Sequence, residues 1–434
     1  MLRITSSPAR ALSGTAVVPA DKSISHRSVI FGALADGVTE VTNLLTGEDV
    51  LSTVAGFRSM GVLIEGPDSG RLRISGVGKF GLQAPGSELD LGNSGTSMRL
   101  LSGLLSGQRF HSRLTGDESL RRRPMGRVVD PLTAMGAVIQ SCEGCPPLDI
   151  QPSQGLAGIE YQMPVASAQV KSALLLAGLY AEGETLISEA TPTRDHTERM
   201  LAGFSNGQWQ AGSTIRVNGN VALAGQCLEV PGDISSAAFL LVAATICPGS
   251  DLLLPGVGIN PTRSAVLAIL RLMGANIEIS SERLESNEPV CDLRVRSASL
   301  KGIDIPPEFV ANAIDEFPVL AIAAAAASGV TRVRGAKELR VKESDRIAAV
   351  VQGLATLGID AVEYPDGMDV TGGTFGSGSI ESFGDHRIAM AFAVAGCISE
   401  GSVEIRDAGN IRTSFPNFHS LANSIGMNIS ESPG

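Results

Sequence analysis

Seven cations in this 434-residue chain stand at or just before the openings of helix-like runs: Lys22, Arg27, Arg123, Arg194, Lys342, Arg346 and Arg387. Helix N-termini carry free N–H groups and a partial positive charge, so anions bind there readily. Cations added at the same places describe a cavity for several negative charges. Bringing two anions to ~4 Å otherwise costs about 4 kcal/mol at an effective dielectric of ~20. Seven cations therefore point to two anionic small-molecule substrates. Asp315 and Glu343 lie among the cations or in apolar surroundings. Carboxylates so placed suit general acid–base work, because burial and nearby cations shift their pKa values in opposite directions. They equally suit plain ion pairs with their neighbours. Lys22 and Arg27 with Ser23 between them, at the start of one helix, resemble a phosphate cradle.

Six segments repeat one design, a polar cluster followed by about ten apolar residues interspersed with small ones. They open at Asp21, Gly92, Ser167, Gly232, Ile314 and Gly384, roughly one sixth of the chain apart. A run apolar all round predicts a buried helix. A second, amphipathic helix follows each, and five of these end alike, at Ser59-Met-Gly, Ala134-Met-Gly, Leu272-Met-Gly, Thr356-Leu-Gly and Ser424-Ile-Gly. Glycine there suits a left-handed helix terminus. Alternating runs such as Arg71–Ser75, Thr214–Asn218 and Ser402–Arg406 predict strands. Each repeat is thus an α/β element of two helices and roughly four short strands, and two groups of three repeats form closed globules rather than a solenoid. Asp21, Asn93 and Asp233 also suit helix caps, and Asp233 is read as one. Asp345 is read as supporting its own turn.

Acidic residues number 45 against 34 Lys and Arg, a net charge of −11, which argues against nucleic-acid binding through bulk charge. No apolar run reaches the ~18–20 residues of a membrane span, and no basic-then-apolar leader opens the chain, so a cytoplasmic location is expected. Cys247 and Cys397 sit in apolar runs and are expected as buried thiols. Cys142-Glu-Gly-Cys145 has no second cysteine or histidine pair, so no zinc site is expected. No phosphate-binding Walker loop, dinucleotide fingerprint, His-Glu-x-x-His or Gly-x-Ser-x-Gly occurs. The expectation is chemistry with no metal, cofactor or serine nucleophile.

Five motifs then converge: Asp21-Lys-Ser-Ile-Ser-His-Arg, Leu91-Gly-Asn-Ser-Gly-Thr, Arg123-Pro-Met-Gly, Arg340-Val-Lys-Glu-Ser-Asp-Arg and Asp385-His-Arg. Over essentially the whole chain, and in this order, the sequence resembles the 5-enolpyruvylshikimate-3-phosphate synthases. The resemblance implies a two-domain inside-out α/β barrel, with three repeats in each domain. One domain spans 20–230; the other combines 1–19 with 231–434, and the active site lies in the cleft. It also implies transfer of the enolpyruvyl group of phosphoenolpyruvate to the 5-hydroxyl of shikimate 3-phosphate by addition and elimination, through a tetrahedral intermediate. That step leads toward chorismate and the aromatic amino acids. By the same resemblance, Lys22, Ser23, Arg27, Ser167, Gln169, Arg194, Asp315 and Lys342 hold shikimate 3-phosphate. Lys22, Gly95, Arg123, Gln169, Arg346 and Arg387 hold phosphoenolpyruvate. Asp315 takes the 5-hydroxyl proton, and Glu343 and Lys22 handle protons at C3 and the leaving phosphate.

Gly95 implies sensitivity to glyphosate, whereas Ser167-Ala-Gln and Arg194-Asp-His-Thr-Glu resemble a bacterial subgroup that includes tolerant members. Thr413 stands where many members have Lys; Arg412 beside it is left out of the site. The related UDP-N-acetylglucosamine enolpyruvyl transferases typically have Lys-Asn at Lys22-Ser23 and a loop cysteine that Phe110–Leu120 lacks. A non-catalytic anion-binding protein would have little use for two acids in a cationic cleft. A monomer is expected.

Overall fold

The computed structural model describes residues 2–207, 209 and 214–433. The chain forms two compact units. One consists of Ala20–Val230 with Glu285–Glu288; the other consists of Met1–Pro19, Pro231–Leu284 and Pro289–Gly434.

In the first unit, the helices Lys22–Leu34, Gly95–Leu105 and Ala168–Gly178 are buried along most of their length. Amphipathic helices Glu48–Ser59, Gly126–Ala134 and His196–Phe204 follow them in turn. Mixed sheets surround the buried helices. One runs in the order Cys227–Glu229, Asp36–Thr42, Arg71–Val77, Leu63–Asp68. The next runs Leu89–Asp90, Ser112–Thr115, Cys145–Ile150, Ile139–Cys142. The third repeat departs from four strands, splitting into a three-stranded and a two-stranded sheet.

The second unit repeats the plan with buried helices Ile234–Ile246, Phe317–Ala325 and His386–Ala395. Its amphipathic helices are Ala265–Met273, Arg346–Thr356 and Phe418–Ser424. The strand Leu2–Ser7 belongs here because it is paired on both sides: Ile4 faces Ile405 on one neighbour and Glu431 on the other. The sheet after the Phe317 helix has three strands.

Small residues in the buried helices have a geometric cause. At Gly103, an added Cβ would lie 2.0 Å from the carbonyl oxygen of Ala173 on the neighbouring buried helix. Those backbones therefore approach as closely as atoms allow, and only glycine fits. The shared helix endings put glycine in the left-handed region, as at Gly61 (φ +87°) and Gly274 (φ +103°). In the degraded third repeat Asn206 (φ +51°) and Gly207 (φ +75°) take that part.

Gly56, inside the Glu48–Ser59 helix, has nothing within 4 Å of an added Cβ. Gly103→Ala is expected to cost about 3 kcal/mol. Gly56→Ala is expected to add roughly 0.5–1 kcal/mol through helix propensity. Denaturant midpoints of the two variants check this; shifts in the same direction would contradict the packing described.

Candidate active site

In the unit that contains Lys22, side-chain bonds tie the three buried helix starts together. Asp21 caps the first through the Ile24 N–H (2.8 Å), Ser94 caps the second, and Ser167 caps the third. Asn93 is not a cap: Ser94, one residue on, has the extended backbone and accepts from Ser97. Asn93 instead donates to Asp117 and accepts from Arg123 Nη2 at 2.6 Å. Gln169 accepts from Arg99 (2.9 Å) and donates to Thr96 Oγ1 (3.0 Å), which bridges the second and third helix starts. A Cβ on Gly95 would come within 2.9 Å of nitrogens of both Arg123 and Arg99. Gly95, Arg99, Arg123 and Gln169 therefore form one cluster.

Lys22 pairs with Asp49 on the following helix. Arg27 is buried and held by neutral groups: Nε donates to Thr197 Oγ1 (2.6 Å), Nη2 to Ser172 Oγ (2.8 Å) and Nη1 to the Ser23 carbonyl (2.8 Å). Burial pulls its pKa down to about 10, with Glu198 and Asp21 opposing and Arg194 adding to the depression. Hydroxyls and a carbonyl orient this guanidinium without cancelling its charge, which leaves it suited to an anion. The loop bearing Arg194 is anchored by buried Lys171, which donates to the Thr193 carbonyl (3.1 Å) and pairs with Glu189 (3.0 Å) and Glu198 (2.7 Å). Arg121 and Arg122 are exposed.

In the other unit the centre is Arg346, 1% exposed. Its Nε donates to Asp385 Oδ2 (2.8 Å), its Nη1 to Asp315 Oδ1 (3.2 Å) and its Nη2 to Glu343 Oε2 (2.5 Å). Burial works against that charge, but Asp385, Glu343 and Asp315 outweigh it and hold the pKa above the usual arginine value. Burial likewise opposes ionisation of Asp385, and Arg346 prevails, keeping that carboxyl below its ordinary range. Lys342 Nζ reaches the same Asp315 oxygen at 3.2 Å. Arg387 Nη1 donates to the Asp315 carbonyl (2.8 Å) and to Glu316 (3.4 Å). Glu316 also accepts from Ser235, which Arg263 contacts at 2.6 Å together with Asp233 at 3.1 Å. Asp233 caps its helix through Ser235 N–H, and Asp345 caps the Arg346 helix through Ala348 N–H.

The expected residues thus fall into two networks, one in each unit. Lys22, Ser23, Arg27, Gly95, Arg123, Ser167, Gln169 and Arg194 belong to the first, Ser23 through its carbonyl on Arg27; Asp315, Lys342, Glu343, Arg346 and Arg387 belong to the second. Sequence reading missed Asp49, Arg99, Glu316 and the pairing role of Asp385. Arg99 had a signal, one helical turn beyond Gly95; Asp49 and Glu316 had none. Arg412 is exposed, and Thr413 is buried with its hydroxyl on the Asn410 carbonyl. Among the described residues, no cluster of three or more His, Cys, Asp or Glu is placed to hold a metal ion, and no helix is long and apolar enough to cross a membrane.

Helix starts bearing cations, with two acids among them in the second unit, suit the binding of anionic metabolites and proton transfer to or from them. The family model described as EPSP synthase (3-phosphoshikimate 1-carboxyvinyltransferase) matches residues 7–421, and the chain belongs to that family. It is 58% identical over 426 residues to the 3-phosphoshikimate 1-carboxyvinyltransferase of Methylococcus capsulatus, covering 98% of each chain. The enzyme of that name from Acidithiobacillus ferrooxidans is 57% identical over 427 residues, again covering 98% of each. The solved EPSP synthase of Acinetobacter baumannii superposes with a TM-score of 0.89 at 50% identity, over 100% of both chains.

His26 lies buried between Lys22 and Arg27 in sequence, 2.9 Å from Thr53 Oγ1 and 3.3 Å from Ser97 Oγ. Burial first, then Lys22 and Arg27, hold its pKa well below the ordinary 6.5. The unfolded chain therefore takes up a proton below pH 6.5 that the folded chain refuses, so stability falls as pH drops from that value. The expected slope from this group is about 1.4 kcal/mol per pH unit. Denaturation of wild type and His26→Gln at pH 7.5, 6.5 and 5.5 checks it: the variant should have the shallower acid slope, and equal slopes would contradict a neutral buried His26.

Proposed function

We propose that residues of the two networks serve one reaction, transfer of the 1-carboxyvinyl group of phosphoenolpyruvate to the 5-hydroxyl of shikimate 3-phosphate. Arg27, Ser23, Ser167, Gln169, Arg194 and Lys22 take the sugar-like acid and its phosphate, with Lys342 and Asp315 at the hydroxyl to be modified. Arg123, Arg346, Arg387, Gln169 and Lys22 take phosphoenolpyruvate, and the bare Gly95 leaves room beside Arg123.

Asp315 removes the 5-hydroxyl proton as that oxygen bonds to C2, while C3 gains a proton, giving a tetrahedral ketal phosphate. Loss of a C3 proton and of phosphate then restores the double bond. Glu343 and Lys22 manage the protons at C3 and at the leaving phosphate. Every proton and the phosphate are accounted for without a covalent enzyme adduct. The enzyme works as a cytoplasmic monomer without nucleic acid, membrane or cofactor.

The observation that carries this reading is Asp315, whose carboxylate takes both Lys342 and Arg346 at 3.2 Å. Two cations fix its direction while leaving it 12% exposed to meet a hydroxyl. Phosphate release with both substrates is the assay. Asp315→Ala should lower kcat by about 10²-fold or more, the scale of one lost acid–base role. Near-normal turnover would remove Asp315 from the chemistry.

A further inference from the structure

Cys142 and Cys145 flank the turn between strands Ile139–Cys142 and Cys145–Ile150, in the unit that contains Lys22. Glu143 (φ +52°) and Gly144 (φ +79°) supply the two left-handed residues of a primed hairpin turn. The register pairs Cys142 with Cys145 across the turn, with an irregularity between Ser141 and Cys142 where Pro146 and Pro147 are looped over. Directly paired residues point their side chains to one face with Cα atoms about 4.5–5.5 Å apart. That separation lies inside the window of about 4.4–6.8 Å spanned by disulfides. Both thiols are free; Cys142 is exposed and Cys145 partly so, whereas Cys247, Cys291 and Cys397 are buried.

The turn also rests on the cationic loop. Cys145 Sγ donates to the Arg122 carbonyl (3.6 Å), and the Gly144 carbonyl accepts from the Met125 N–H (2.8 Å). Those contacts grip the loop on either side of Arg123, whose Nη2 reaches Asn93 at 2.6 Å.

We propose that Cys142 and Cys145 form a reversible dithiol–disulfide site whose oxidation state sets the position of Arg123. The exposed Cys142 thiolate attacks a sulfur of a low-molecular-weight disulfide such as oxidised glutathione, and one glutathione thiolate leaves. Cys145, once deprotonated, attacks the Cys142 sulfur of this mixed disulfide and expels the second thiolate. Two electrons pass to the small disulfide, and the two thiol protons pass to water or the expelled thiolates; excess thiol reverses both steps. The new bond takes the S–H donor from the Arg122 carbonyl and pulls on residues 122–125. The consequence for phosphoenolpyruvate rests on the assignment of Arg123 above, while the bond itself is read independently.

The test equilibrates the full chain in glutathione buffers from reducing to oxidising, traps free thiols by alkylation, and analyses peptides by mass spectrometry alongside kinetics. The peptide carrying Cys142 and Cys145 should lose two hydrogens, resist alkylation and recover with thiol. The KM for phosphoenolpyruvate should rise roughly tenfold on oxidation, as expected for a displaced binding group. Cys145→Ser should stop at a Cys142–glutathione adduct and keep its KM for phosphoenolpyruvate. Cysteines that remain alkylatable, or a wild type that stops at the adduct, would overturn the site. An internal bond with unchanged KM would overturn the link to Arg123. If the reduced chain shows no transferase activity, the reading of Arg123 fails, and the mass measurement still decides the bond.

Discussion

A guanidinium out of water and shared by three carboxylates is the constraint on which the second unit's chemistry depends. Arg346 and Asp385 are both essentially fully buried. Removing one partner of such a pair leaves an uncompensated charge in a poor solvent, at a cost of about 3–5 kcal/mol. The geometry is therefore nearly compulsory. Asp385 binds Arg346 and also caps the His386–Ala395 helix through the Arg387 N–H. Arg387, in the first turn of that helix, holds the Asp315 backbone. One buried cation thus fixes Asp315, Glu343 and the root of Arg387 together, and the acid groups and anion-binding groups cannot drift apart.

The first unit solves a different electrostatic problem. Arg27 is oriented by two hydroxyls and a carbonyl, and the Asn93 amide accepts from Arg123, while Lys22 pairs with Asp49. Charge that is positioned but not cancelled is available to a phosphate or carboxylate, and the burial that depresses the Arg27 pKa states the same condition as an energy. The second unit's network centres on one cation shared by three carboxylates, whereas Arg27 in the first is held by neutral groups. Both place their working residues at or just before the N-terminal ends of helices, buried ones and the amphipathic ones that follow them.

Much of this was legible in the chain because the repeat puts chemistry at one recurring place. Buried helices followed from runs apolar on every face, and their partners followed from the Met-Gly and Leu-Gly endings. The cations and the two acids at repeat openings were visible as outliers in a chain of low charge. Partners that act through space were not visible. Nothing in the residues around Asp49 announces that it meets Lys22, and Glu316 looks like an ordinary neighbour of Asp315. Asn93 looked like a cap and became a ligand of Arg123, because Ser94 does the capping with a shorter side chain. Four strands per repeat did not hold everywhere: the third repeat divides five short strands between two sheets, and the repeat after the Phe317 helix has three.

In the proposed reaction shikimate 3-phosphate draws on residues of both networks, which a crystal structure with that ligand bound would reveal. The phosphate of the ligand is expected at Arg27, Ser167 and Gln169, with its 5-hydroxyl within hydrogen-bond distance of Asp315 and Lys342. A ligand held by residues of one network alone, with Asp315 out of reach of the hydroxyl, would contradict it.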